Sequence, residues 1–260
     1  MVIYVQINDL VIIKDDVHQI IYIIKEINDD NVLLKGYNHR TFVIKKIHQI
    51  EKATTEQISN EENVVNKYKT KIRKITNTRN MGKPLFGRIL HIDGDEDYLE
   101  SCMKLYKEMG IYAEGLNISE NKIKDKIIDI IEKTTPDIIV ITGHDIYNGK
   151  DKKDLRNYEN TSFFIDAVRL IRKKYYYDDV VIIAGACCSH FEALIASGAN
   201  FASSPGRLNI HTYDPAVIAI VVASTSINRN IDFSQCLKLI ENGRLAFGGV
   251  ETKGKMRMML

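Results

Sequence analysis

The sequence predicts a small all-β domain followed by an α/β domain, which has a mostly parallel sheet with helices on both faces. Residues 1–50 contain short runs of alternating apolar and polar side chains, as in residues 31–35 and 41–47. From Leu85 onward, apolar runs such as DIIVITGHD and VVIIAGACC are separated by helical patterns instead. Strands that are apolar throughout and lie between helices indicate a parallel sheet covered on both faces.

The all-β domain is expected over residues 1–52. Turn formers such as Asp29-Asp30 and Gly36 separate four or five short strands, a spacing typical of a small barrel. Residues 53–82 change from acidic to basic, which predicts a linker, or an exposed helix followed by a linker. Six Lys or Arg residues and no acid occur from Lys67 to Arg79, a run that we interpret as a solvated face.

The α/β domain is expected over residues 83–260. Its predicted strands are GRILHID, DIIVITGHD, VVIIAGACC and NFASSP. Between them lie amphipathic segments at residues 97–110, 119–134 and 161–171, a short helix ending before Gly198, and the apolar helix AVIAIVVAS. Asp95, Ser119 and Asp214 are the predicted N-caps of three of these helices.

The composition excludes several classes of protein. Of the 260 residues, 45% are hydrophobic and 27% are charged, which predicts a folded core rather than disorder. A net charge of +2 is far below that of a dedicated nucleic-acid binder. The N-terminus lacks the pattern of a secretory signal, and the apolar runs are about half as long as a spanning helix. Four cysteines, two of them adjacent, do not make a disulfide framework, so we expect an intracellular protein with reduced thiols.

Polar residues follow four predicted strands, in the segments HIDGDED, VITGHD, IAGACCS and FASSP. Ligands of open parallel sheets bind outside the carboxyl ends of the strands, so an acid cluster, His144 and the Cys187-Cys188 pair should converge there. A lone histidine or a lone cysteine in such a position is more often structural. A thiol beside an imidazole, however, supplies a nucleophile and its general acid/base. Cys187, Cys188 and His190 are too close in sequence to bind one zinc ion, since zinc sites use gaps of two or more residues between ligands. A nucleophile-elbow hydrolase is also disfavoured, because the second glycine of its G-x-nucleophile-x-G turn is missing here.

The order of strand, His, strand and Gly-Ala-Cys resembles the caspase and clostripain clan of cysteine peptidases. In caspases the cysteine motif follows the His by about 50 residues; here the spacing from His144 to Cys187 is 43. More closely, the chain resembles the YabG family of sporulation-specific proteases from spore-forming Firmicutes. This resemblance is carried by the N-terminal barrel pattern, RILHIDGDEDYLE, DIIVITGHD, AGACCSHFEALIASGANFASSP and GGVETKGK, which together span nearly the whole chain.

The resemblance implies a caspase-like α/β peptidase domain after a barrel of the Src-homology-3 type. It implies that Cys187 is the nucleophile and His144 the general acid/base, with no metal or cofactor. Substrates would be proteins of the spore coat and cortex machinery, cleaved beside Arg or Lys, in the mother cell or spore coat. No membrane or nucleic-acid partner is expected, and the sequence does not indicate the oligomeric state.

Two details of the predicted site stay open. In the clan the His is followed by Gly, whereas here Gly143 precedes it and Asp145 follows. The oxyanion donor is therefore the backbone N–H of Gly143 or of Asp145, with that of Cys187 as the second donor. Cys188 is expected to be a packed small residue.

The acid cluster after the first strand of the α/β domain has two interpretations. Asp95 caps the following helix, whose N-terminus favours acids. Alternatively, Asp93 or Asp95 binds a cationic substrate side chain, with Asp145 and Asp214 as rivals for that role. Two other functions remain: a non-catalytic, receiver-like or scaffold protein of the spore coat, in which Cys187 is core, and a nucleic-acid-associated protein that uses the barrel and the basic run.

Overall fold

The computed structural model describes residues 4–16, 19–76 and 83–259, which contain two large sheets and one two-stranded sheet. The chain divides into two compact units, Met1–Tyr68 and Lys69–Leu260. The domain bounds expected from sequence, at residues 52 and 83, stay predictions. The basic run extends to Arg79, and residues 77–82 lie outside the described part of the chain.

The first unit contains an antiparallel sheet. In the described residues its order is β4-β3-β2-β1-β5. The strands are β1 (Leu10–Ile13), β2 (Ile21–Asn28), β3 (Asn31–Gly36), β4 (Phe42–Lys46) and β5 (Ile50–Lys52). Fully buried side chains alternate along them, including Ile24, Val32 and Leu34, because successive residues of a strand point to opposite faces. The structure thus gives a separate antiparallel sheet; that this sheet forms a barrel stays a prediction.

Helix α1 (Thr55–Thr76) occupies most of the expected linker, which is the exposed-helix alternative. Thr54 and Gln57 start it with a reciprocal cap. The Gln57 N–H donates to Thr54 Oγ1 at 3.2 Å, and the Thr54 N–H donates to Gln57 Oε1 at 2.8 Å. Thr54 and Gln57 have the spacing of a capping box, a helix-start signal that is present in the sequence itself.

The second unit contains the mostly parallel sheet, with order β12-β11-β10-β9-β7-β8 in the described residues. Its strands are β7 (Ile89–Asp93), β8 (Ala113–Asn117), β9 (Ile138–Thr142), β10 (Val181–Ala184), β11 (Phe201–Ser203) and β12 (Phe247–Gly249). Only β12 pairs antiparallel among these described strands. Strands β6 (Pro84–Leu85) and β13 (Arg257–Met258) form a separate pair.

Helices cover both faces of this sheet, so the predicted α/β class is confirmed. They are α2 (Glu96–Glu108), α3 (Ile123–Thr134), α4 (Thr161–Arg172), α5 (Phe191–Ser197), α6 (Asp214–Ser224) and α7 (Phe233–Leu237). On one face, α3, α4 and α5 pack on alternate strand residues such as Ile139, Ile141 and Ile182. Helices α2 and α6 lie on the other face, and every residue of α6 is buried. Strands β7, β9 and β10 are buried throughout for this reason.

The three predicted helix caps have different outcomes. Asp95 is the N-cap of α2. Ser119 is the N-cap residue of a short 3-10 helix, Glu120–Lys122, which leads directly into α3, but its side chain makes no cap bond. Asp214 is the first residue of α6 rather than its cap, because its Oδ2 accepts the His211 N–H at 3.0 Å and closes the preceding turn.

Candidate active site at the carboxyl edge of the sheet

The loops that carry His144 and Cys187 leave adjacent parallel strands at the same edge of the sheet. Strand β9 ends at Thr142 and β10 ends at Ala184, and Ile141 pairs with Ala184. The Gly185 N–H continues this pairing by donating to the Ile141 oxygen at 3.0 Å. The predicted convergence of the two loops therefore follows from the register of β9 and β10.

Gly185 begins a tight turn that carries Cys187. Its φ is +104°, and a Cβ atom there would lie 2.5 Å from Ser203 Oγ and 2.7 Å from Leu194 Cδ1. Glycine is therefore required by both conformation and space. Ser203 Oγ also donates to the Ala186 oxygen at 2.7 Å, which ties the turn to β11.

The sulfur of Cys187 is buried and accepts a backbone hydrogen bond. Cys187 is 4% exposed, and the Ile210 N–H lies 3.2 Å from Sγ. A hydrogen-bond donor at a titratable atom stabilises its charged form. The Ile210 N–H is thus a donor that a thiolate at Cys187 could use.

Cys188 has a different environment from its neighbour. Its φ is +58°, in the left-handed region, and its N–H donates to Ser204 Oγ at 3.0 Å. Its Sγ faces the Arg207 oxygen at 3.4 Å. Burial raises the pKa of the Cys188 thiol, and the Asp145 charge raises it further while Arg207 opposes the rise.

His144 is held at both its backbone and its ring. Its N–H donates to Glu120 Oε1 at 2.7 Å, and its Nε2 lies 3.0 Å from Asp95 Oδ2. Space for the Glu120 carboxylate exists because Gly94 and Gly143 lack a Cβ, which would lie 2.2 Å from Glu120 Oε1 in either case. The imidazole remains accessible, with 29% of the side chain exposed.

The carboxylates of Asp93 and Asp95 both bind protein groups. Asp95 Oδ1 accepts the Tyr98 N–H at 3.1 Å as the cap of α2, and its Oδ2 contacts His144. Asp93 is fully buried, and its Oδ1 accepts the Asp95 N–H at 3.0 Å. Recognition of a substrate cation by either acid stays a prediction.

Asp145 connects the two loops. Its carboxylate accepts the Ser189 hydroxyl at 2.8 Å, the Asn160 N–H at 2.8 Å and the Thr161 hydroxyl. Burial raises the pKa of the Asp145 carboxyl, and these three hydrogen bonds oppose the rise. The Ser189–Asp145 bond joins the turn after β10 to the segment after β9. We call this bond the loop latch.

The other predicted residues lie at the same edge or beneath it. The N–H groups proposed for the oxyanion belong to Gly143, Asp145 and Cys187, which follow β9 and β10 directly; their role stays a prediction. Asp214 is fully buried at the start of α6. Sequence reasoning did not identify Glu120, or Asp95 as a partner of His144.

A cavity of about 470 Å³ lies beside the Cys188 turn. It is lined by Lys152, Lys153, His190, Glu192, Pro205 and Arg207. The Arg207 guanidinium donates to Tyr158 Oη at 2.8 Å and to Glu192 Oε2 at 2.5 Å. Because Glu192 is the single acid among these lining residues, the cavity has a net positive lining. This cavity could not be predicted from the sequence, since its cationic side chains come from separate segments.

Within the described ranges, no group of three or more His, Cys, Asp or Glu side chains is arranged to hold a metal ion. Nor does any helix in this part of the chain have the length and apolar character needed to cross a membrane.

Comparison with known proteins finds one family and one similar curated protein. A family model described as YabG peptidase U57 matches residues 6–260. The chain is 43% identical over 176 residues to the sporulation-specific protease YabG of Bacillus subtilis (strain 168). The alignment covers 66% of this chain and 60% of that relative, less than two thirds of the relative's length.

A solved structure, described as a two-component system response regulator/GGDEF domain protein, also has some similarity. It is 12% identical, with a TM-score of 0.31, and the match covers 56% of this chain and 49% of that chain. A likeness at this level carries no argument about fold or function.

Proposed function

The chain belongs to the YabG peptidase U57 family, and on this basis we propose that it is a cysteine endopeptidase with Cys187 as nucleophile and His144 as general acid/base. The observation that carries the proposal is the loop latch, which joins the Cys187 turn to the segment that follows His144. Because both loops leave adjacent parallel strands, they occupy the edge where such sheets bind their ligands.

The proposed reaction has two stages. His144 removes the proton of the Cys187 thiol, and the sulfur attacks the scissile carbonyl to form a tetrahedral intermediate. Backbone N–H groups of Cys187 and of Gly143 or Asp145 bind the oxyanion. The intermediate collapses to a thioester while His144 protonates the leaving amine. Water then attacks the thioester with His144 as base, which releases the acid and restores the thiol.

The choice of Cys187 over Cys188 rests on their surroundings. Cys187 accepts an N–H at its sulfur, whereas the Cys188 thiol faces the Arg207 carbonyl oxygen, an acceptor that gives a thiolate no support. A thiolate, not a thiol, is the nucleophile of cysteine enzymes. Cys188 serves the turn through its left-handed backbone and its bond to Ser204.

The proposed substrates are proteins of the spore coat and cortex machinery, cut in the mother cell or at the spore coat. Support comes from the family and from the name of the Bacillus subtilis relative, a sporulation-specific protease. Cleavage beside Arg or Lys rests on the clan resemblance. A basic substrate side chain would not enter the cavity beside Cys188, since the lining is itself cationic; it would bind on the side of Asp93 and Asp95.

We further propose that the mostly parallel sheet is caspase-like and that the first unit is a barrel of the Src-homology-3 type. The strand order, with the proposed dyad after two central strands, supports the first assignment. The β4-β3-β2-β1-β5 ladder of short antiparallel strands supports the second.

The test of the proposed function compares wild type with the variants Cys187→Ala, His144→Ala and Cys188→Ala on a peptide library containing basic residues. Cys187→Ala and His144→Ala should each lose several orders of magnitude in kcat, while Cys188→Ala keeps most activity. Iodoacetamide at neutral pH should label Cys187 before Cys188. An active Cys187→Ala protein would refute the proposed nucleophile.

A further inference from the structure

The ring of His144 contacts a carboxylate through Nε2. Asp95 Oδ2 lies 3.0 Å from this nitrogen. An ionised carboxylate can only accept hydrogen bonds, so Nε2 must carry the proton that it donates to Asp95. In a neutral imidazole with its proton on Nε2, Nδ1 is the nitrogen that carries the lone pair. The contact therefore selects the tautomer that can accept a proton at Nδ1.

We infer that Asp95 is a positioning residue, which holds His144 with Nδ1 as the acceptor of the Cys187 proton. This inference rests on the proposed function, because it assigns Asp95 a role toward the proposed base. It also gives Asp95 a different role from the substrate-binding one considered above.

Asp95 is itself rigidly placed. Its Oδ1 accepts the Tyr98 N–H at 3.1 Å, so one oxygen caps α2 while the other faces His144. Its own N–H donates to Asp93 Oδ1 at 3.0 Å, and its side chain is 8% exposed. Asp95 is therefore held in place by the start of α2 and by the Asp93 carboxylate. A side chain held in this way can fix the orientation of a catalytic imidazole such as that of His144.

Asp95 lies among other groups that can carry charge near His144. Glu120 binds the His144 backbone N–H rather than its ring, and the Tyr98 ring centroid is 5.9 Å from that of His144. On α2, on the 3-10 helix before α3 and on the loops after β7, β9 and β10, the titratable side chains include Asp93, Asp95, Glu96, Asp97, Tyr98, Glu120, Asp145, Cys187, Cys188 and His190. Among the contacts described, Asp95 is the carboxylate that meets a ring nitrogen of His144.

The contact should act on turnover rather than on substrate binding. When His144 takes the thiol proton, its positive charge lies against the Asp95 carboxylate, which favours the imidazolium. A substrate bound before proton transfer does not gain from this interaction. Loss of the carboxylate should therefore lower kcat with little change in KM.

Asp95→Asn tests the inference while preserving the helix cap, because Asn and Asp are about equally good N-caps. The Asn amide N–H₂ would face Nε2 and select the opposite tautomer. We expect kcat to fall on the order of 10²-fold, equally for Arg/Lys and neutral substrates. Asp95→Ser, which keeps a capping oxygen but no carboxylate, should also lose turnover.

Asp232→Asn is the matched control. Asp232 Oδ1 caps α7 by accepting the Gln235 N–H at 3.1 Å, which reproduces the cap of Asp95 at another helix. The control variant should keep wild-type kcat and KM. A loss confined to Arg/Lys substrates in Asp95→Asn would overturn positioning and assign Asp95 to substrate recognition.

Nitrogen-15 NMR of His144 gives a readout that needs no activity. In the inactive Cys187→Ala background, Nε2 should carry the proton when Asp95 is present, and Nδ1 when it is Asn. Protonated Nδ1 in the presence of Asp95 would overturn the inference, whatever the kinetics. If Cys187→Ala retains activity, the proposed function fails. If Cys187→Ala is inactive but Asp95→Asn matches Asp232→Asn, the inference alone fails.

Discussion

Ser189→Ala removes the loop latch, and the structure gives its expected size. Ser189 is fully buried; its hydroxyl donates to Asp145 Oδ2 at 2.8 Å and accepts the Ala186 N–H at 2.9 Å. A hydrogen bond to a charged group contributes about 1.5–3 kcal/mol, and a buried N–H left without a partner costs about 1–3 kcal/mol. Both effects come from the same hydroxyl and are not fully additive. We therefore expect the free energy of unfolding to fall by about 3 kcal/mol, near the lower end of their sum.

Urea unfolding followed by far-UV circular dichroism measures this loss, in the Cys187→Ala background so that self-cleavage does not interfere. With a slope of about 2 kcal/mol per molar urea, a loss of about 3 kcal/mol lowers the midpoint by about 1.5 M. In the active protein, kcat should fall as well, since the Cys187 turn is no longer tied to the His144 loop.

Ser101→Ala is the control for the latch. Its hydroxyl donates to the Asp97 oxygen at 3.0 Å on the surface of α2, so the variant should stay within about 0.5 kcal/mol of wild type. A Ser189→Ala midpoint no lower than that of Ser101→Ala would refute the reasoning.

Four further changes have defined outcomes. Gly185→Ala should lower the free energy of unfolding by about 2–4 kcal/mol, from overpacking and its left-handed φ, whereas Gly149→Ala, with φ +82° and open space around it, should cost about 1 kcal/mol. Because burial raises the pKa of Asp145 above 3.8, the stability of wild type relative to Asp145→Asn should be greatest at acid pH. This relative stability should decline as the pH rises through the folded-state pKa of Asp145. Urea denaturation of both proteins between about pH 3 and about pH 7 measures it. Asp93→Asn should raise KM for Arg/Lys peptides more than for neutral ones if Asp93 recognises a cation; an equal change would point to folding. Purified wild type should accumulate a fragment beginning near residue 70–80, cut beside a basic residue, that is absent by mass spectrometry from Cys187→Ala.

The strands that could be predicted from the sequence are those that are apolar along their whole length. Strands β9 and β10 lie between two layers of helices, so all their side chains are apolar and the pattern is visible in one dimension. Strands β8 and β12 were not predicted. β8, with sequence AEGLN, is half-buried at an edge, and β12 contains two glycines and pairs antiparallel with β11. Their strand state depends on a neighbour distant in sequence, which no local pattern records.

The same limit applies to the candidate site. His144 and Cys187 could be predicted to lie near one another because both follow apolar strands of one sheet. The Asp95–His144 contact could not be predicted, since helix capping already explained an acid at Asp95. The hydrogen bond from the His144 N–H to Glu120 could not be predicted either. The Glu120 carboxylate fits beside the His144 loop only because Gly94 and Gly143 have no side chain.

Helix α6 has a consequence for the production of the protein. Every residue from Asp214 to Ser224 is buried, and after Asp214 the helix contains no charged side chain. In a partly folded chain this apolar, β-branched segment is exposed before the sheet and α2 cover it, and such segments promote aggregation. Yield should therefore depend on the rate of synthesis, with slow expression at low temperature giving α6 time to dock before two nascent chains meet.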